Sequence, residues 1–375
     1  MNTPRKIVLL QLISNGDCLY ATVIARQIKA DYSGCHLTWI IASSCKSIID
    51  NNPYVDAVRE IPNVSKANCL AVIRQLKSEL RLQLQKGEID DVFFTQIIDE
   101  NQANYDGTVR SAIYRGYPHP VTVSFTPVLR LRIEETDQVR AFAYKYRLKD
   151  FKNVILFEFA PQSGQLTIAP DQAIAMAEEI IKYPDTAVIL SSNIKIGDAN
   201  SRIIDGSTLS LRQTAGLTHY CTLLLGCSSG ITWVSTSDAA KHLPMIQMLD
   251  ANAFWVNPIT RDFERCGFPT NGVIELYDFN PQKIVECIGD VLNNGMSEAR
   301  SKYVKPLPLQ FRTTSRSIYN MLVSFQFRAI IKHIRINIGI YGWNPLLIRE
   351  IVKGFLFSPF KFINNIVKKR LLKWP

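Results

Sequence analysis

The sequence predicts an α/β fold of two doubly wound parallel-sheet domains facing each other across a cleft. Three observations carry this expectation. A nearly continuous apolar run, Lys6 to Ile13, ends in the tight turn Ser14-Asn15-Gly16-Asp17 and leads into residues at helical spacing, the pattern of a central strand covered on both faces and its crossover helix. The pattern restarts at Asn153 to Ala160 after a charged stretch, Glu134 to Lys152. With 375 residues the chain exceeds what one hydrophobic core usually serves, so two domains of roughly 150 residues are expected.

After the opening strand, Leu19, Tyr20, Val23, Ile24 and Ile28 recur on one helical face, with Arg26 and Lys29 opposite. His36 to Ile41 reads as a second strand and Lys46 to Asn51 as a short helix. Asn52-Pro-Tyr-Val-Asp56 reads as a turn, because Pro sets it and apolar residues follow. Ala57 to Ile61 and Asp91 to Gln96 supply two more strands. The periodicity of Val139, Phe142 and Tyr146 predicts a helix leading into a linker, which divides the chain into domains at 1–150 and 151–310. In the second, a helix from Asp171 to Tyr183 enters through Pro170, a favoured first-turn residue. Ala187 to Leu190, Thr222 to Gly226 and Pro244 to Leu249 read as strands, and Leu211 to Cys221 and Pro281 to Asn294 as helices.

Composition narrows the function classes. Eight cysteines are scattered without a CxxC pair or a leading signal peptide, which points to reduced thiols in a cytosolic compartment. Five histidines stand apart and no Asp-x-Asp occurs, so neither a metal nor a cofactor is expected. Residues 311–375 hold 12 Lys and Arg against the single Glu350, while residues 1–310 hold 31 basic and 32 acidic groups. The whole excess of +10 therefore belongs to the tail, and a nucleic-acid groove across the body is not supported.

Two turns are candidate sites. Asp17 places a carboxylate at the mouth of the first sheet, as a helix cap or as a general base; at a helix start the dipole is expected to lower its pKa. Leu223 to Trp233 takes a strand into Ser228, Ser229 and Gly230 and toward a helix. Small residues with free N–H groups there suit a phosphate, or simply cap the helix. Gln162 and Ser163, followed by Gly164, lie on the same sheet edge as a second donor-side candidate, and Asp198 is a loop acid within reach of a ribose in such a fold.

These residues resemble glycosyltransferase family 9, which contains the ADP-heptose:lipopolysaccharide heptosyltransferases. The family's opening Ser-x-Gly-Asp looks like Ser14 to Asp17, its Asn-Pro-Tyr-Val-Asp matches Asn52 to Asp56, and Ser210 to Gly226 resembles the helix and strand before its donor motif. The likeness covers roughly residues 5 to 300. The donor motif departs: Ser228 and Trp233 stand where the family has Asp and His, and near Leu166 and Thr167 the family's diphosphate-assisting Lys is missing. The resemblance implies the GT-B architecture of two Rossmann-like domains. It implies a metal-independent, inverting transfer in which Asp17 is the base, Ser14 and Gly16 form the acceptor-side loop, and Ser228, Ser229, Gly230, Gln162 and Ser163 meet a nucleotide-sugar donor. The acceptor would be a lipid-linked glycan such as lipopolysaccharide. A catalytically silent GT-B-like scaffold and a sugar-nucleotide epimerase are the alternatives.

In the tail, a helix beginning near Thr314 is expected to return onto the body as far as about Arg335. Asn344-Pro345 and Ser358-Pro359 read as further helix starts. In the last stretch Phe362, Ile363, Ile366, Val367 and Leu371 line one side, with Lys361, Lys368, Lys369 and Lys373 away from it. From Asn344 onward this basic amphipathic surface is expected to lie on an anionic membrane, at the inner face of a bacterial cytoplasmic membrane.

Overall fold

The computed structural model describes residues 4–161, 166, 168–197, 200–253, 258–306 and 309–356. Gln162, Ser163, Gly164, Asp198 and the last expected tail helix lie outside the described residues.

The first domain runs β1 (Lys6–Leu10), α1 (Asn15–Asp31), β2 (His36–Ala42), β3 (Ala57–Ile61), α2 (Cys69–Gln85), β4 (Asp91–Phe94) and α3 (Val109–Tyr114), with 3-10 turns at Ser43–Ile49 and Asp99–Asn104. Its four strands are parallel in the order β3-β2-β1-β4. The apolar run of β1 is buried on both faces, with α1 and α2 on opposite sides. The Asn52 to Asp56 turn is structural. Asn52 Oδ1 accepts from Tyr54 N at 3.0 Å, and Asp56 Oδ2 accepts from Leu37 N at 2.6 Å and pairs with Lys29.

The second domain continues with α4 (Ile133–Lys145), β5 (Asn153–Glu158), α5 (Pro170–Ile180), β6 (Thr186–Ser191), β7 (Ile203–Asp205), α6 (Leu211–Leu217) and β8 (Leu223–Gly226). It ends with α7 (Gly230–Val234), β9 (Met245–Met248), α8 (Ile259–Arg265), β10 (Val273–Leu276), α9 (Pro281–Asn294) and α10 (Met296–Tyr303). Six parallel strands lie in the order β10-β9-β8-β5-β6-β7. α4 packs on α6, so this helix rests against the second sheet's layer. The expectation of two doubly wound domains matches the observed layers.

α1 is buried nearly all round, from Cys18 to Ala25. One face covers the first sheet, and the other meets α3 and α7, where Trp233 packs edge-on to Tyr20 with ring centroids 5.3 Å apart. A fully buried ion pair crosses the same boundary, Arg110 Nε to Asp262 Oδ2 at 3.0 Å, with the guanidinium over the rings of Tyr20 and Phe268 at 4.6 and 5.1 Å. Burial lifts the Asp262 carboxyl to about 6 against the pull of Arg110. Arg212 of α6 is a second staple. It grips Glu135 with two bonds of 2.8 Å and donates to the carbonyls of Ser47 at 2.8 Å and Asp50 at 3.2 Å in the first domain.

The tail forms α11 (Arg312–Val323), α12 (Phe327–Tyr341) and a helix over residues 345–356, here α13. Asn344 caps the last, its Oδ1 accepting from Leu346 N at 2.9 Å. These helices dock on the first domain through a small core of Ala103, Ile318, Met321, Ile330, Leu347 and Ile351. His333 and Asn337 reach the backbone carbonyls of Ala103 and Tyr105 at 3.3 and 3.2 Å, and burial holds the His333 imidazole down near 4, hence neutral. Protein contact thus extends past Arg335 into the segment expected on a membrane: Leu347, Glu350 and Ile351 are buried, while Leu346, Val352 and Phe355 are exposed.

Removing one partner of the Arg110–Asp262 pair leaves an uncompensated buried charge, so Arg110→Ala is expected to cost about 3–5 kcal/mol in urea unfolding. The double change Arg110→Met with Asp262→Leu is expected to recover most of that stability.

Candidate active site

Each sheet reverses its strand order once, between β1 and β4 in the first domain and between β5 and β8 in the second. At such a point successive crossovers leave in opposite directions, opening a crevice beyond the carboxyl ends of the strands. Backbone strain gathers there. Of the nine non-glycine residues with left-handed φ among the described residues, Ser14 follows β1, Asp99 follows β4, Ala160 follows β5 and Ser228 follows β8. Each such residue costs free energy and persists where the surroundings fix it, often at a functional site.

Ser14, Gly16 and Asp17 all fall at the first crevice. The loop is pinned from below: Gln96 Oε1 accepts from Gln11 Nε2, Leu12 N and Ile13 N at 3.0 Å each. Ser14 is the N-cap and is exposed, so Asp17 is the third residue of the helix rather than its cap. Its carboxylate makes no hydrogen bond to any described residue, which leaves it open to a ligand. Its pKa moves opposite to the expected direction. Burial raises it to about 7, helped by the Cys45 thiol and opposed by Lys66, so desolvation outweighs the favourable end of the helix. Cys45 is in turn lowered to about 7 by its hydrogen bond with Cys18.

Ser228, Ser229 and Gly230 fall at the second crevice, where the N–H groups of Cys227, Ser228 and Ile231 already have internal acceptors. Glu158, at the carboxyl end of β5, is buried beneath the turn and accepts from Cys227 N at 2.9 Å, Ile231 N at 3.0 Å and Thr232 Oγ1 at 2.7 Å. Ser228 N donates to Gln247 Oε1 at 2.8 Å. A Cβ at Gly226 would overlap Thr232 Oγ1 and Gln247, so only glycine lets the strand end this close to the network. The start of α7 therefore already holds a carboxyl group of the protein's own. Burial pushes the Glu158 carboxyl up, and these donors pull it back. Trp233 turns inward, its Nε1 donating to Ser228 O at 3.2 Å and its ring lying 3.6 Å from where a Cβ of Gly16 would sit. It brings the two turns together from opposite domains.

Sequence reasoning missed Glu158, which had a signal, a lone carboxylate inside the apolar run Asn153 to Ala160. Among the described residues no group of three or more His, Cys, Asp or Glu is arranged to hold a metal ion.

No protein-family model matches the sequence, and no curated protein matches it. Solved structures do. A glycosyl transferase of family 9 from Veillonella parvula is 14% identical with a TM-score of 0.53, covering 79% of this chain and 94% of that one. A putative UDP-N-acetylglucosamine 2-epimerase from Listeria monocytogenes is 11% identical with a TM-score of 0.51, covering 86% and 97%. The ADP-heptose lps heptosyltransferase II of E. coli is 14% identical with a TM-score of 0.49, covering 78% and 99%. The fold is thus that of GT-B proteins.

Glu158→Ala would leave the backbone N–H groups of Cys227 and Ile231 without this acceptor in the interior. It is expected to destabilise the protein by about 3 kcal/mol or more, measured by urea unfolding, and an unchanged midpoint would show that the turn does not rest on Glu158.

Proposed function

We propose that this protein is an inverting glycosyltransferase that needs no metal and moves a sugar from a nucleotide-sugar donor to a lipid-linked saccharide. The observation that supports it best is Asp17: an unbonded carboxylate, raised to about 7, at the reversal point of one sheet and across from the reversal point of the other. Inverting transfer requires one base beside the acceptor hydroxyl. As the acceptor oxygen attacks the anomeric carbon, its proton passes to Asp17, and the bond to the diphosphate breaks on the opposite face. A carboxylate near 7 is a stronger base than one near 4 and remains ionised at neutral pH in about half of the molecules.

The acceptor-side loop is Ser14 and Gly16 beside Asp17. Ser229 and Gly230 shape the donor wall, with Glu158 rather than the donor on the N–H groups beneath it. That internal carboxylate is also the observation favouring a scaffold protein without transfer.

A lipid-linked acceptor fits the tail. Phe325 and Trp343 are 77% and 78% exposed, and Phe327, Ile331 and Leu346 are exposed near Arg328, Lys332, Arg335 and Arg349. Aromatic side chains interleaved with cations suit an anionic membrane interface. No described helix is long and apolar enough to cross a membrane. The reading places the protein on the cytoplasmic face of a bacterial membrane.

Asp17→Asn is expected to lower transfer by about 10²–10⁴-fold while donor binding persists. In the parent, the rate should fall about tenfold per pH unit below 7, because protonation removes the base. Equal turnover of parent and variant removes Asp17 from the chemistry, and donor converted without an elongated acceptor supports an epimerase. Phe327→Ser with Trp343→Ser is expected to reduce sedimentation with phosphatidylglycerol vesicles; unchanged sedimentation would sink the membrane assignment.

A further inference from the structure

The leaving diphosphate of the proposed reaction carries at least two negative charges, and something in the second domain must meet them. Part of the backbone is already committed at both helix starts bordering the cleft. Glu158 takes Cys227 N and Ile231 N at α7, at 2.9 and 3.0 Å, and Glu275 of β10 takes Thr260 N at 3.0 Å and Thr260 Oγ1 at 2.6 Å at α8. A side-chain cation must supply what the turns do not.

The cations around α8 are nearly all spoken for. Arg110 pairs with Asp262 at 3.0 Å, Arg115 with Asp106 at 2.9 Å and Arg265 with Asp106 at 3.7 Å. Arg261 makes no ion pair or hydrogen bond with any described residue, although it is half-buried. Its place is well fixed. Glu275 holds the preceding Thr260 and also accepts from Tyr277 OH at 2.8 Å, which pins the first turn of α8.

From there the guanidinium reaches toward the first domain. Its Nη1 lies 3.6 Å from the position a Cβ on Gly107 would take, and Gly107 has φ +96°. Arg261 acts electrostatically on the phenols of Tyr105 and Tyr277, and Asp17 acts on Tyr105 as well. An unpaired guanidinium, half out of water, flanked by two phenols and close to the loop that carries Gly107, is arranged to receive an oxyanion. Its planar fork matches phosphate oxygens in pairs.

We infer that Arg261 is the phosphate-binding side chain of the cleft and holds the diphosphate of the nucleotide-sugar donor, beside turns whose N–H groups are partly taken by buried glutamates. The assignment rests on the glycosyltransferase reading above. An acidic group on the acceptor presents the same chemistry from the other side of the cleft, so the test separates the two sources.

The full-length protein, Arg261→Gln and Arg261→Lys are titrated calorimetrically with ADP, UDP and GDP, with the parent nucleosides and with a phosphorylated saccharide. Arg261→Gln is expected to weaken the best nucleoside diphosphate by about 10–100-fold and to leave the matching nucleoside unchanged, with Arg261→Lys between the two. Equal diphosphate affinity in Arg261→Gln and parent overturns the assignment, as does a loss confined to the phosphorylated saccharide, which would move the residue to the acceptor. Absence of nucleoside diphosphate binding in the parent itself overturns the glycosyltransferase reading and this inference with it. Retained thermal unfolding of Arg261→Gln excludes misfolding as the cause of a loss, since Arg261 bonds to no described residue.

Discussion

The relation between the two domains depends on one guanidinium. Arg110 is buried between the rings of Tyr20 and Phe268, faces Asp262 across the boundary and sits in a layer that continues through Tyr20 to Trp233. Taking both charges out of water is costly, and the ion pair repays this only while its partners keep their places. The geometry is therefore all-or-none: a shift of either domain that parts Arg110 from Asp262 leaves two naked charges in the interior. Asp17 lies three residues before Tyr20 on α1, so this contact also sets where the proposed base stands relative to the second sheet.

Buried carboxylates play a second organising part. Glu158 and Glu275 both sit at or near the carboxyl ends of second-domain strands, and both take N–H groups at the start of the helix that follows the neighbouring strand, α7 after β8 and α8 after β9. Each turn is thereby held without outside help, whether or not the cleft contains a ligand. The consequence is chemical as well as structural. A turn whose N–H groups are already taken by an internal carboxyl group offers fewer donors to a diphosphate, and a side-chain donor from elsewhere adds to them. Ser228 and Trp233 belong to the same arrangement: Ser228 is fully buried, and Trp233 is spent on packing against α1.

What was legible in the sequence follows from how local each signal is. The buried strands and their helices were readable because an apolar run of five to eight residues and a 3.6-residue stripe are properties of neighbours in the chain. The same locality explains the misses. β7 has three residues and β10 four, too short for a period to show, and α2 was passed over although Ile73, Leu76 and Leu80 mark one face. The turn marks Asp17 in the sequence but not its raised pKa, because that rests on burial in the folded chain and on Cys45, which comes from another element. Nothing near Arg110 or Asp262 announces a partner 152 positions away.

The tail shows why a pattern alone can mislead about what covers it. An amphipathic helix with cations on its polar side is equally suited to a protein surface and to a membrane, and burial decides between them residue by residue. α13 does both. Leu347 and Ile351 enter the core shared with α11 and α12, while Leu346, Val352 and Phe355 on its other side remain exposed. Because α12 is anchored through His333, Asn337 and Tyr341 to the segment from Ala103 to Asp106, the exposed aromatic face is rigidly coupled to the loop that borders the cleft. A membrane seated on that face would hold the first domain, and with it Asp17, at a fixed height above the lipid headgroups, which is what a base acting on a lipid-linked hydroxyl requires.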